Sequence, residues 1–212
     1  YFSQHFHQSR QWYADHYQLA KPGQVRGDIT PFYLFHMSVA ERIRSVLPRA
    51  RLIALLRDPV ERALSQYFHA RRHGYEQLDL KSALEAEEQR LSGADAVVRA
   101  ADGFHYSYQK HSYISRSRYE LQLQRYKECF PKKQLHVLRS EDLFTHSDAC
   151  WDGLLRFISV APMTLPASLP HSNSGHGEAA SVPLSLRRDL RQQLASTYQW
   201  VEREYGITWP EP

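Results

Sequence analysis

An arginine and a serine stand eight residues apart where an apolar segment passes into a helix. Arg57 follows the apolar run 51–56 and precedes Asp58. Its guanidinium is a planar, permanent cation that suits a phosphate, and Ser65 offers a neutral hydroxyl about two helical turns further on. The spacing therefore favours a site for an anionic ligand. The alternative is that Arg57 makes only a surface ion pair and that Asp58 only caps the helix.

The strand and the helix that must position these side chains are both visible in the sequence. Residues 51–56 (RLIALL) are almost continuously apolar, which is typical of a strand that a parallel sheet buries on both faces. Asp58 is a good N-cap, Pro59 suits the first helical position, and Glu61 follows three residues after the cap. Ligands of such sheets bind beyond the carboxyl ends of the strands. We also expect the unpaired N–H groups and the dipole at the helix start to favour an anion.

The rest of the chain alternates helical and strand patterns, which indicates an α/β fold. A second strand is predicted over 134–139 (QLHVLR), and the aromatic and polar stretch 102–112 is expected to be a loop. The stretch 160–184 is expected to be an irregular loop of a length that is usually functional. Helical spacing of apolar residues predicts helices over 33–47, 59–73, 79–101, 115–129, 151–158 and 185–205.

The composition fits one ordinary globular domain. The chain has 212 residues, of which 42% are hydrophobic and 24% are charged, which argues against disordered and collagen-like chains. No apolar run approaches the roughly 18 residues that a membrane span needs, and the net charge of +4 leans only mildly toward anionic partners. Two cysteines and a single asparagine, Asn173, outside any glycosylation sequon, favour a bacterial-type cytoplasm over the Golgi lumen.

The segment 52–67 (LIALLRDPVERALSQY) resembles the signature of the sulfotransferases that depend on 3′-phosphoadenosine 5′-phosphosulfate (PAPS). Most of the chain is similar to the carbohydrate-type branch of that family, which includes heparan sulfate sulfotransferases and bacterial relatives. The ordered matches cover residues 1–160. They include Tyr1-Phe2-Ser3 with Trp12-Tyr13, the turn 27–31 (GDITP), and 119–143 with its Phe-Pro turn and Glu-Asp-Leu.

This resemblance implies a three-layer α/β sandwich with a parallel sheet of the P-loop-kinase-like type. It implies that Arg57 and Ser65 hold the 3′-phosphate of the donor and that Arg118 and Tyr119 approach the donor nucleotide. The reaction would move a sulfuryl group from PAPS to a hydroxyl or amine of a carbohydrate, glycolipid or small-metabolite acceptor. No metal is expected, because lysine and arginine side chains can neutralise the donor.

Sulfuryl transfer also needs a base that accepts the proton of the acceptor group, a role for a carboxylate or a histidine. The candidates within the sequence are Asp28, which the resemblance places near the acceptor, and His5, with His7 close by. The alternative for Asp28 is an Asx turn before Thr30 and Pro31. Two histidines two residues apart, without a third ligand, are weak grounds for a metal site.

The sequence also departs from the family pattern. No GxxxxGK[ST] or GxGxxG motif occurs, so the family's 5′-phosphosulfate loop is not seen. We expect a strand–loop–helix unit of ~30 residues upstream, with the lysine in its loop and the main base just before Tyr1. Residues 1–212 would then be a single domain lacking its first strand and that loop. Ile29 replaces a lysine of several relatives, and no Lys-Gly-Arg element occurs in 171–183, which weighs against a heparan-like acceptor.

Two other functions are weighed against the transferase. A P-loop-like nucleotide kinase would need magnesium and a Walker-type lysine loop, and neither ligand set is visible. A non-catalytic module that binds polyanions or nucleotides would need a dense basic stripe, whereas the charges are mixed along every predicted helix. A nucleic-acid partner is therefore not expected, and the sequence makes no prediction about the oligomeric state.

Overall fold

Two parallel strands form the centre of the fold in the computed structural model, which describes residues 1–145, 147–165 and 177–211. Strand β1 (Leu52–Leu56) pairs with β2 (Leu135–Arg139), with Leu52 opposite Leu135 and Leu56 opposite Arg139. A parallel pair needs a crossover connection, and the long segment between the two strands supplies it with helices. Both strands were predicted from the sequence within one residue.

Helices make up most of the remaining structure. In the described part of the chain, short 3₁₀ turns lie at Ser115–Ser117, Lys132–Gln134 and Glu178–Ser181. The α-helices within the described residues are α1 (Arg10–Asp15), α2 (Phe32–Phe35), α3 (Val39–Val46), α4 (Pro59–Arg72), α5 (Leu80–Glu85), α6 (Glu87–Leu91), α7 (Ala94–Val98), α8 (Tyr106–Lys110), α9 (Tyr119–Cys129), α10 (Asp142–Thr145), α11 (Ser147–Ile158), α12 (Leu184–Gln193) and α13 (Ala195–Tyr205).

One face of the sheet carries the core. Ala54 and Leu56 pack against Leu123 of α9 and Val201 of α13. On the opposite face of β1, Ile53 is 43% exposed and Leu55 is 49% exposed. The prediction that this strand is buried on both faces is therefore wrong for the residues that the structure describes.

Several other boundaries differ from the prediction. The supposed loop 102–112 contains α8, because His105 caps its first turn and the Tyr108 ring stacks on Phe35 at 4.4 Å between centroids. The helices expected over 33–47, 79–101 and 185–205 are each divided into shorter helices. Residues 166–176, the middle part of the expected irregular loop, lie outside the described residues.

Candidate functional site

Arg57 lies at the carboxyl end of β1 with its side chain exposed. Its guanidinium forms no hydrogen bond or ion pair with any residue that the structure describes. The backbone at this position is held from below, because the hydroxyl of Tyr119 donates to the Arg57 carbonyl at 3.0 Å. The backbone of Arg57 is therefore held in place while its guanidinium is free to donate to an incoming phosphate.

The backbone N–H groups at the start of α4 already donate hydrogen bonds to nearby carboxylates. The carboxylate of Asp58 accepts hydrogen bonds from the amides of Val60 at 2.9 Å and Glu61 at 3.0 Å, and the Asp58 amide donates to Glu141 at 3.1 Å. Pro59 has no amide hydrogen. The expectation that unpaired N–H groups at this helix start would bind an anion is therefore wrong. An anion here must be held by side chains.

The cap residue is itself clamped by the C-terminal helices. The hydroxyl of Tyr198 donates to both carboxylate oxygens of Asp58, at 3.0 and 3.1 Å, and Arg191 lies 3.8 Å from one of them. Burial raises the pKa of Asp58, and the hydrogen bonds from Tyr198 and from the Val60 amide oppose that rise. Asp58 thus acts as the N-cap of α4, which is the alternative that the sequence offered for this residue.

Ser65 lies on α4, seven residues beyond Asp58. Seven residues are just under two helical turns, so Ser65 and Asp58 share one side of the helix about 10 Å apart along its axis. The Ser65 side chain is partly exposed, and its hydroxyl has no hydrogen-bond partner among the described residues. Like Arg57, it is free to serve a ligand.

Arg118 is brought to the same end of the sheet by the segment that precedes α9. The hydroxyl of Ser117 donates to the Pro59 carbonyl at 2.7 Å, and the Arg62 Nε donates to that hydroxyl at 2.6 Å. These bonds tie the segment to the first turns of α4. The Arg118 side chain is partly exposed and has no hydrogen bond or ion pair within the described structure.

Tyr119 differs from the other three predicted donor-binding residues because it is buried, with 3% of its surface exposed. Its hydroxyl is used on the Arg57 carbonyl, so it contacts the strand end and not the open surface. The structure thus has Arg57 before the first turn of α4, Ser65 nearly two turns along it and Arg118 beside Ser117, which contacts its first turns. The Tyr119 hydroxyl holds the backbone of Arg57.

Asp28 forms a separate group with the N-terminal segment. Its exposed carboxylate accepts hydrogen bonds from the hydroxyls of Thr30 and Tyr33, both at 2.8 Å, and of Tyr13 at 3.4 Å. The Tyr33 hydroxyl also accepts from the Phe2 amide at 3.3 Å. No hydrogen bond, ion pair or ring contact among the described residues joins Asp28 directly to the group at the end of β1.

His5 is exposed on the same N-terminal segment. Its ring centroid lies 5.3 Å from that of Trp12 and 6.2 Å from that of His7. Within the described part of the chain, no three histidine, cysteine or carboxylate side chains come together in a group that could hold a metal ion. In the same residues, no helix combines the length and the apolarity that crossing a membrane requires.

Sequence reasoning missed the residues that brace the strand ends. Glu141, directly after β2, accepts from the Asp58 amide and from the Trp209 indole N–H at 3.2 Å. The Glu-Asp-Leu match pointed to Glu141 only by resemblance. Nothing local in the sequence marks Tyr198 or Trp209 as partners of this turn, because they come from the C-terminal helix and the tail that follows it.

Comparisons with known proteins bear on this arrangement. A model described as "Sulfotransferase family" matches residues 1–164. The membrane-associated sulfotransferase kil1 of Dictyostelium discoideum is 43% identical over 70 residues, which are 32% of this chain and 15% of that protein. The human bifunctional heparan sulfate N-deacetylase/N-sulfotransferase 2 is 26% identical over 168 residues, which are 76% of this chain and 17% of that protein. The chain thus spans less than a fifth of either relative.

A solved structure is similar over nearly the whole chain. The crystal structure of a sulfotransferase from Alicyclobacillus acidocaldarius matches with a TM-score of 0.76 and 23% sequence identity. The match covers 95% of this chain and 73% of that one. This likeness concerns the fold, and it confirms the predicted α/β fold class with a parallel sheet.

Proposed function

Because the chain belongs to the sulfotransferase family, as its resemblance predicted, we propose that it transfers a sulfuryl group from PAPS to a hydroxyl or amine. The observation that carries the proposal is the set of polar side chains on and near the first two turns of α4 that have no partner within the described structure. Arg57, Ser65 and Arg118 are held in place by well-bonded neighbours, yet none of the three uses its own side-chain donors within the described structure. Such groups suit the 3′-phosphate of a nucleotide donor.

The proposed chemistry assigns separate tasks to the two groups of residues. In the transfer, the acceptor atom bonds to sulfur as the bond between sulfur and the 5′-phosphate oxygen breaks, and 3′-phosphoadenosine 5′-phosphate leaves with the bonding electron pair. Arg57, Ser65 and Arg118 hold the nucleotide. The proton of the acceptor goes to a base, for which Asp28 and His5 are the candidates within this sequence.

Asp28 fits the acceptor side of the reaction better than the donor side. Three hydroxyl groups fix its carboxylate, and it remains exposed next to the segment that begins at Tyr1. The same hydrogen bonds also hold the turn before Pro31, so a structural role accounts for part of this geometry. We assign Asp28 the orientation of the acceptor or of its proton, and His5 the same task as the second candidate.

We propose that chain preceding Tyr1 adds a strand and the 5′-phosphosulfate loop, together with the main base and a lysine. The half-exposed side chains of Ile53 and Leu55 support this proposal, because the helix of an added strand–loop–helix unit could cover this face of β1 and bury them. Hydrogen exchange of the β1 amides should slow in a protein extended upstream. Unchanged exchange would count against this part of the proposal.

The acceptor is proposed to be a carbohydrate, a glycolipid or a small metabolite. The support is that several relatives carry heparan sulfate in their names, although this chain matches only a small part of each. The protein is further proposed to act in a reducing compartment such as a bacterial cytoplasm, in keeping with its two free cysteines, Cys129 and Cys150.

Calorimetry with 3′-phosphoadenosine 5′-phosphate tests the donor site. Arg57→Ala should weaken binding by about 1.5–3 kcal/mol, which is about 10- to 150-fold. Arg51→Ala is the matched control, because Arg51 is an exposed arginine at the opposite end of the same strand. Equal affinity of wild type and Arg57→Ala would refute the site. Binding that requires magnesium would favour the nucleotide kinase instead.

A further inference from the structure

A second cationic cavity lies among α2, α4 and α8. Its volume is about 280 Å³, near the lower end of ordinary ligand pockets. Its walls include Phe32, Gln66, His69, Tyr75, Lys110 and Arg116. None of the residues that line it is acidic, and Arg57, Ser65 and Arg118 are not among them. The cavity is therefore distinct from the proposed donor site.

Arg116 contributes a charge that no carboxylate neutralises directly. Its guanidinium carbon lies 5.0 Å from the ring centroid of Phe32 and 5.1 Å from that of Phe35. A terminal nitrogen donates to the Gln109 carbonyl at 2.9 Å, while the buried Nε has no hydrogen-bond partner. Burial and the nearby charge of Arg62 lower the pKa of Arg116 to about 9. A cation held this way gains from an anionic partner.

Glu87, the carboxylate whose charge acts on Arg116, already accepts hydrogen bonds with both of its oxygens. Glu87 influences the pKa of Arg116 less than burial does, and its two oxygens accept from the amides of Ile114 at 2.7 Å and Ser115 at 2.8 Å. No ion pair of Arg116 occurs among the described residues. The positive charge of the cavity wall is therefore uncompensated by a contacting group of the protein.

Lys110 and a row of flat rings complete the cavity and its rim. The Lys110 Nζ lies 4.0 Å from the ring centroid of Tyr75 and has no ion pair within the described structure. Tyr75 stacks with His73 at 5.7 Å between centroids, and His73 lies 4.1 Å from His69. Because Lys110 and His73 lie against the Tyr75 ring, its edge is the part that a cyclic ligand can contact, and the adjacent cations recognise charge on that ligand.

We propose that this cavity binds a carboxylate or a sulfate ester carried on a sugar-sized ring, with Arg116 and Lys110 attracting the anion and the edge of the Tyr75 ring contacting the sugar. Its interpretation as the place that selects an anionic acceptor rests on the proposed function. The binding of the anion itself does not depend on that function and can be measured without any donor.

The test is an NMR titration with three probes of similar size: glucuronate, glucose 6-sulfate and neutral glucose. At least one of the two anions should bind about tenfold more tightly than glucose, and the tighter of the two identifies the anion chemistry. Lys110→Gln should weaken that anion about fivefold to tenfold, which is about one charge contact. Lys81→Gln, which removes a 79% exposed lysine on α5, is the matched control and should change nothing.

Further variants separate this cavity from the donor site. Arg116→Gln should abolish anion preference, and Lys110→Gln keeps the test decisive if that variant fails to fold. Arg57→Ala should leave anion affinity unchanged, and Lys110→Gln should leave the affinity for 3′-phosphoadenosine 5′-phosphate unchanged. Equal binding of all three probes, no binding of either anion, or loss of anion binding in Arg57→Ala instead of Lys110→Gln would overturn the proposal.

Discussion

A buried carboxylate, Glu76, lies just beyond α4. Its side chain is fully shielded from solvent. It accepts two hydrogen bonds from Arg90, one from the Tyr113 hydroxyl at 2.8 Å, and those of the Gln77 and Leu78 amides at 2.9 and 2.8 Å. Although burial raises the pKa of Glu76, the bonds from Arg90, Leu78 and Tyr113 outweigh it and lower the pKa from 4.5 to about 2.

This pKa fixes both the size and the pH range of the stabilisation. A carboxylate with a depressed folded-state pKa stabilises the protein above its unfolded pKa of about 4.5, and the stabilisation is lost as the pH falls toward 2. The depression corresponds to about 3 kcal/mol. Glu76→Gln removes the charge and leaves Arg90 without its partner, so we expect the free energy of unfolding at pH 7 to fall by about 3 kcal/mol.

Urea unfolding measured between pH 7 and pH 3 tests this prediction. The wild type should lose stability below pH 4.5 more steeply than Glu76→Gln, because the variant has no carboxylate to protonate at this position. Glu85→Gln is the control, since its carboxylate is 67% exposed beside Lys81 and should change stability by less than about 0.5 kcal/mol. A Glu76→Gln protein as stable as wild type at pH 7, or with the same pH slope, would refute the reasoning.

Three further predictions concern single positions. Tyr119→Phe removes the bond to the Arg57 carbonyl and should lower the free energy of unfolding by about 1–2 kcal/mol, measured in urea, with a smaller loss of nucleotide affinity than Arg57→Ala gives. Gly103→Ala would force a Cβ into a backbone carbonyl and should lower the melting temperature, whereas Gly153→Ala in α11, with open space around it, should leave it equal or higher. Burial, with the charge of a nearby arginine, lowers the pKa of His36 from 6.5 to about 4. The free energy of unfolding should therefore fall by about 3 kcal/mol as the pH drops from 6.5 through 4. His36→Gln should remove this part of the pH dependence of stability.

Local signals in the sequence predicted the strand and helix at the centre of the site. Asp58, Pro59 and Glu61 mark the start of α4 because capping depends on residues within one turn, and the structure has that helix from Pro59 to Arg72. The exposure of Ile53 and Leu55 could not be predicted, because an apolar run does not reveal what covers it. Likewise, α8 forms where the sequence suggested a loop, since the packing of Tyr108 on Phe35 is a tertiary contact.

The site residues likewise divide into those that local sequence signals predicted and those that depend on distant parts of the chain. Arg57 and Ser65 were predicted from their positions after a strand and within a helix. Both side chains lack partners among the residues that the structure describes, and their role stays a prediction. The filling of the helix start by Glu141, a residue 83 positions from Asp58, follows from chain topology and not from spacing. For that reason the expectation of free amides was wrong, while the role of Arg57 in binding an anion stays a prediction.

The clamp of Tyr198 on Asp58 joins residues 140 positions apart, which has a consequence for the order of folding. Contacts of such large sequence separation form late, because the entropy of closing the intervening loop must be overcome first. During synthesis from the N-terminus, β1 and α4 emerge well before α13. We therefore expect the nascent chain to gain secondary structure around Arg57 early, but the surface proposed to bind the nucleotide should become rigid only when the last helix docks.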